Sequence, residues 1–291
     1  MSAWGWRQDI MAVAVLAGLL WAAMAWTGVA LAQPYTFRTI ELPVPVAEGA
    51  SCSGLNNDGD LVGVYVDGHG RDQGFLLTSN GQFMLLPLLN PHGLTALRHF
   101  TGWYADARTF GFLHTGLEFV SLSIPIGSRT SSLTEATGLN ERDTVVGDYR
   151  DDTTGSFHAF LYQDGHYATI DPPFWVQTPF GCGAEGINAD GAIVGNCSPF
   201  TYVQFQGQFY PWMIPGSDYT FAHAINRWWG VAGTYCDTAC HGFVYGPTGF
   251  RPIDVPGATL TEVWSVNDAW QICGRYLDAQ GVSHIVIGDL R

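Results

Sequence analysis

The 291-residue chain contains no lysine; its twelve basic side chains are all arginine, against twenty-six acidic ones. That absence excludes a lysine Schiff base. With a formal net charge of -14 it also excludes the basic footprint that nucleic-acid binding requires. Charged residues make up only 13% of the chain and hydrophobic ones 47%, so a large core is affordable and disorder is not the default. No Gly-x-Ser-x-Gly elbow, His-Glu-x-x-His pair or phosphate-binding glycine loop occurs anywhere, which removes the common signatures of serine hydrolases, zinc proteases and nucleotide enzymes.

Long apolar runs are also absent, with one exception. Arg7 precedes an apolar stretch from about Ile10 to Trp26, and small residues follow, ending Ala30-Leu31-Ala32 before Gln33. Residues 1–32 read as a secretory signal with an Ala-x-Ala cleavage site. An uncleaved N-terminal anchor is the rival reading, and it would be the chain's only route to a membrane. All six cysteines follow the expected cut, in a periplasmic or extracellular compartment where disulfides form.

What remains, 33–291, is one repeat domain. A Gly-x-Tyr step or a close relative recurs at Gly63, Gly102, Gly147, Gly195, Gly233 and Gly274. Spacings of about forty to fifty residues match propeller blades. A turn such as Asn188-Ala189-Asp190-Gly191 precedes the step, and its glycine suits a left-handed bulge. The implied hairpin opposes Leu55 with Leu61, Leu139 with Val145, Ile187 with Ile193, Ile225 with Val231, and Val266 with Ile272. Every pair is apolar, and a one-residue slip would separate all of them.

A third strand follows, as at His158-Ala159-Phe160-Leu161, and then an alternating fourth strand that ends at proline. The chain stops after its sixth third strand, around His284 to Ile287. The missing fourth strand lies at the other end, from Tyr35 to Pro43. A six-bladed β-propeller of four-stranded blades, its ring closed by the N-terminal strand, accounts for both observations and removes open edges. An open β-solenoid is the alternative architecture.

The His158-Ala159-Phe160 and His241-Gly242-Phe243 tracts, the Gly-x-Tyr-x-Asp steps and the Ile253-Asp254-Val255-Pro256 strand resemble the bacterial extracellular HAF-repeat proteins. The likeness covers essentially the whole of 33–291. It implies a repetitive exported β fold and brings no established catalytic residues with it.

Candidate chemistry is sparse. Asp67, Asp106, Asp151, Asp237 and Asp278 recur after the Gly-x-Tyr step, and a ring of carboxylates would suit Ca²⁺. The simpler reading is an aspartate that bonds its own turn, and no cofactor is expected. His158, His241 and His284 are repeat positions and read as structural, whereas His223 falls nearer the axis without an evident partner. In copies five and six the turn glycine becomes tryptophan, at Asn226-Arg227-Trp228-Trp229 and Asn267-Asp268-Ala269-Trp270. Because a bulky left-handed residue is disfavoured, both turns are expected to change shape. Trp228, Trp229 and Trp270, with Arg227 and Asp268, are then the candidate platform for stacking sugar rings.

Cys236 and Cys240 are close enough to pair across a loop. Cys182 and Cys197 flank one hairpin, and Cys52 and Cys273 belong to blades that closure makes adjacent, but strand parity opposes both of those bonds. Connectivity is therefore open. The functional expectation is an exported, non-enzymatic module that binds carbohydrate or a cell-surface polymer. The alternative is a hydrolase or lyase acting on polysaccharide through axial carboxylates, for which Glu185 and Glu262 are the first candidates.

Overall fold

The computed structural model describes residues 35–174 and 181–291; the leader expected over 1–32 lies outside them. Six four-stranded antiparallel sheets form the blades of a six-bladed β-propeller. The innermost strands are Ala50–Leu55, Leu89–Leu94, Thr134–Leu139, Gly183–Ile187, Tyr219–Ile225 and Leu260–Val266, for blades one to six. Among the described residues no helix is long and apolar enough to cross a membrane.

The ring closes as the missing fourth strand requires. Tyr35–Ile40 pairs antiparallel with Ser283–Leu290, from Tyr35 opposite Leu290 to Ile40 opposite Ile285. All five apolar hairpin pairs are opposed as expected. Every second strand is buried over its first three residues, and Val231–Cys236 along its whole length, because each blade is covered by a blade on either side. The core accordingly consists of wedges between blades. One holds Cys52, Leu55, Phe75 and Ile285 between blades six and one; another holds Val194, Val203, Val231 and Phe243 between four and five.

Each innermost strand carries a bulge that the repeat pattern conceals. In blades one and three to six the bulged residue is Ser53, Thr137, Glu185, His223 and Trp264; in blade two His92 and Gly93 oppose a single residue. The bulge explains the glycine of the Gly-x-Tyr step. A Cβ on Gly63, Gly147, Gly233 or Gly274 would come within about 2.0 Å of the carbonyl two residues before the bulge, so only glycine fits there.

The bulge also reverses strand parity, and this corrects the cysteine expectation. With one residue inserted at Glu185, Gly183 faces Asn196, which brings Cys182 and Cys197 level and into a disulfide. Ser53 likewise turns Cys52 toward blade six, where it bonds Cys273 across 221 residues of sequence. Cys236–Cys240 is the third disulfide, and no cysteine is free. Three disulfides suit an oxidising compartment.

The repeat histidines hold blades together internally. His158, His241 and His284 stack on Tyr149, Tyr235 and Tyr276 of the neighbouring strand, with ring centroids 5.0–5.3 Å apart. His158 Nδ1 lies 2.6 Å from Asp171, His241 Nδ1 2.7 Å from Asp254, and His284 Nε2 3.0 Å from Asp278. In blades three and five the aspartate after the fourth strand and the histidine tract are thus two halves of one contact, whereas His284 meets the turn residue Asp278.

Candidate functional site

The turns between first and second strands gather on one face around the axis. In each of five blades an asparagine builds the turn. Asn226 Oδ1 accepts the Trp228 and Gly230 amides at 3.0 and 2.8 Å, and its Nδ2 donates to Asn267 O of the next blade at 3.0 Å. Asn267 passes the chain to Asn56 O, Asn56 to Thr95 O, Asn140 to Asn188 O and Asn188 to Asn226 O. Only blade two breaks this belt, because Thr95 has no amide to donate; there the Ala96 amide donates to Glu141 instead, at 3.1 Å.

The belt explains why the tryptophan turns keep their shape, contrary to expectation. Trp229 and Trp270 sit at φ 63° and 62°, the same left-handed conformation as Gly59 and Gly191. A non-glycine residue there costs about 1–3 kcal/mol, whereas burying an indole contributes about 4–6 kcal/mol. Trp229 is 4% exposed and meets Phe205 of blade four edge-on at 4.7 Å. Trp270 lies across Gly230 and Gly246 of blade five. Packing between blades therefore outweighs backbone strain, and Trp229 is removed from any surface platform.

Trp228 is different. It stays 41% exposed, its Nε1 donates to Asp268 O at 3.0 Å, and Arg227 lies over its ring at 4.8 Å. Asp268 accepts from the Arg227 amide at 2.9 Å and from Asn57 Nδ2 at 2.9 Å. Three residues, Arg227, Asp268 and Asn57 of blades five, six and one, all of which line the axial channel, thus fix one indole beside it.

The channel itself encloses a cavity of about 130 Å³, lined by the bulged residues Ser53, Thr137, Glu185, His223 and Trp264 and by the asparagine turns. Ser53 and Thr137 are engaged, donating to the carbonyls of Pro91 and Ala184 in the next blade. His223 stacks on Trp264 at 4.3 Å, and its buried Nδ1 has no hydrogen-bond partner among the described residues. Burial lowers both His92 and His223 to about 4.

Burial raises Glu185 to about 7, opposed by a bond from Asn196 and reinforced by Glu135. Asp148 is pushed well above the ordinary carboxylate range, by burial and then by Glu135 and Glu185. Glu262, the partner expected for Glu185, is bound instead to Arg275 at 2.5 Å. The carboxyl that raises Glu185 is Glu135, and Glu185 in turn raises Asp148; neither Glu135 nor Asp148 was singled out by the sequence. A protonated carboxyl beside further carboxyls can give or take a proton near neutrality.

The aspartates considered for Ca²⁺ lie in separate turns. Asp67 accepts the His69 and Arg71 amides, Asp151 the Thr153 amide, Asp237 the Ala239 amide, and Asp278 those of Gln280 and Val282. Among the described residues Asp106 accepts nothing comparable, its amide donating to Arg108 O. Among the described residues no three His, Cys, Asp or Glu side chains are arranged to hold a metal ion.

Solved structures share this architecture. The chain is similar to a gluconolactonase from Xanthomonas campestris, with 9% identity, 88% of this chain and 90% of that one covered, and a TM-score of 0.53. It is also similar to the Aleuria aurantia lectin in complex with Fucα1-6GlcNAc, with 10% identity, 83% and 93% covered, and a TM-score of 0.52. A third is the SapL1 lectin in complex with α-methyl fucoside, with 9% identity, 83% and 92% covered, and a TM-score of 0.50. No protein-family model and no curated protein matches the chain. At these identities the likeness is one of fold.

Proposed function

We propose that this chain is an exported propeller of the HAF-repeat type that binds carbohydrate, free or in a cell-surface polymer, at the channel mouth on the asparagine-turn face. The observation that carries the reading is Trp228, an exposed indole held in one orientation by Arg227 and Asp268. An indole fixed before the ligand arrives offers apolar area for a sugar face without an ordering cost, and the polar groups at its edge are available to hydroxyls. The three disulfides support export. A shared fold hosts both lectins and a gluconolactonase, so the choice rests on residues.

Retention of the full chain on a printed glycan array tests the reading. Trp228→Ala should weaken binding at least about tenfold, the equivalent of about 1.4 kcal/mol. Equal retention of wild type and variant on every glycan would overturn it.

Glu185 favours a second reading, a polysaccharide hydrolase or lyase. A carboxyl that titrates near 7 in an axial cavity beside Glu135 and Asp148 has the character of a general acid. Release of reducing ends or unsaturated ends from polysaccharide, lost in Glu185→Gln, would select this reading over simple binding.

A further inference from the structure

The left-handed residue of each first turn stands at the seam with the preceding blade. In blade two Arg98 reaches Asp60 of blade one at 2.7 Å, and in blade three Asp143 reaches His99 of blade two at 2.8 Å. In blades five and six Trp229 and Trp270 fill the position. Arg98, Asp143, Trp229 and Trp270 all have positive φ. Each accepts that strain because its side chain plugs a seam.

Two blades retain glycine there, Gly59 and Gly191. At Gly59 the seam between blades six and one opens into a cleft of about 490 Å³, within the size range of small-molecule sites. Ile40, Leu61, Leu77 and Ile287 supply its apolar lining; Arg38, Asp58, Ser79 and Gln271 supply polar groups. Arg38, itself paired with Asp289 at 3.5 Å, and Asp58 bring both donors and acceptors to the lining, suited to hydroxyls that both accept and donate. The cleft also reaches Asn57 and Ala269, and Asn57 is bonded to Asp268, which holds Trp228.

We propose that this unplugged seam is a second saccharide subsite, continuous with the Trp228 platform through Asn57 and Asp268, so that the ligand spans at least two sugar units. The proposal rests on the carbohydrate reading for its ligand class but on different residues for its site. The chain supplies its own test, since Trp229 and Trp270 establish that this turn position accepts tryptophan.

The experiment compares wild type, Gly59→Trp, Gly191→Trp, Arg38→Ala and Trp228→Ala on a printed array of neutral mono- to tetrasaccharides, with thermal melting to verify folding. Gly59→Trp should plug the seam, lower retention of di- and larger saccharides at least tenfold, and leave retention of monosaccharides at Trp228 within about twofold. Arg38→Ala, at an exposed site, should reduce retention of the same longer glycans even if Gly59→Trp fails to fold. Gly191→Trp should change nothing. Unchanged retention in both Gly59→Trp and Arg38→Ala overturns the seam proposal while leaving the Trp228 reading intact. Equal loss in Gly191→Trp overturns it as a general effect of stiffening the ring. Loss in Gly59→Trp with full retention in Trp228→Ala keeps the seam and overturns the platform. Absence of retention by wild type on every glycan overturns both.

Discussion

Trp270 occupies the space where a side chain on Gly230 would have to go; a Cβ at that glycine would lie 2.4 Å from the indole Cζ3. Gly230→Ala should therefore destabilise the chain by about 1–3 kcal/mol through overpacking. Trp270→Ala should relieve the Gly230 contact yet leave a cavity, with a net loss of about 3–5 kcal/mol. The double variant should lose less than the sum. Chemical denaturation of the four proteins measures this, and strict additivity would contradict the contact.

The asparagine belt lacks one link. Thr95→Asn should add a donor aimed at Asn140 O and raise stability by about 1 kcal/mol, the net worth of one intramolecular hydrogen bond. Asn226→Ala should cost about 2–4 kcal/mol, because the buried Gly230 amide, the part-buried Trp228 amide and the Asn267 carbonyl lose their partner together. Denaturation midpoints distinguish the two, and a destabilised Thr95→Asn would show that blade two cannot receive the amide.

The axial residues give pH dependences of opposite sign. Glu185 titrates near 7 in the folded chain against an ordinary 4.5, so the folded state holds a proton there that the unfolded state has released. Stability from this group falls as pH rises from about 4.5 to about 7, by up to about 3 kcal/mol. Glu185→Gln should remove that fall and be more stable than wild type at pH 8. His92 and His223, lowered from 6.5 to about 4, work the other way: stability is lost as pH drops from about 6.5 toward 4. His223→Gln should lessen the acid-side loss. Melting temperatures from pH 4 to 8 check both, and unchanged slopes would contradict the assignment.

Closure by Cys52–Cys273 ties the two ends of the ring. On the chain-entropy account a loop of 221 residues contributes about 5 kcal/mol, whereas the four-residue separation of Cys236 and Cys240 contributes about 2 kcal/mol. Replacing Cys52 and Cys273 by serine should lower the denaturation midpoint clearly more than replacing Cys236 and Cys240. The reverse order would mean that strand pairing by Tyr35–Ile40 alone secures the ring.

The turn chemistry made the architecture legible. Asn-x-Asp-Gly fixed the hairpin register at Leu55–Leu61 and its four counterparts, and the absent sixth fourth strand pointed to Tyr35. The bulge three residues before each asparagine, and before Thr95 in blade two, was not legible, because Ser53, His92, Thr137, Glu185, His223 and Trp264 share no residue type. That hidden insertion reversed the cysteine parity. It also concealed that one column of the repeat supplies the channel lining, which a comparison of residues at that fixed offset would have found. Trp229 and Trp270 were misread for another reason: backbone strain was weighed without the burial that outweighs it. Glu135 and Asp148 gave no signal, since their coupling with Glu185 arises between blades three and four.

Sugar binding on the asparagine-turn face should be visible in hydrogen–deuterium exchange of the full chain, measured with and without the array glycan it retains best. Protection concentrated at Asn56–Leu61, Asn226–Gly230 and Asn267–Gln271 is the expected result. Protection on the opposite rim, at the turns of Asp67, Asp151, Asp237 and Asp278, would contradict it.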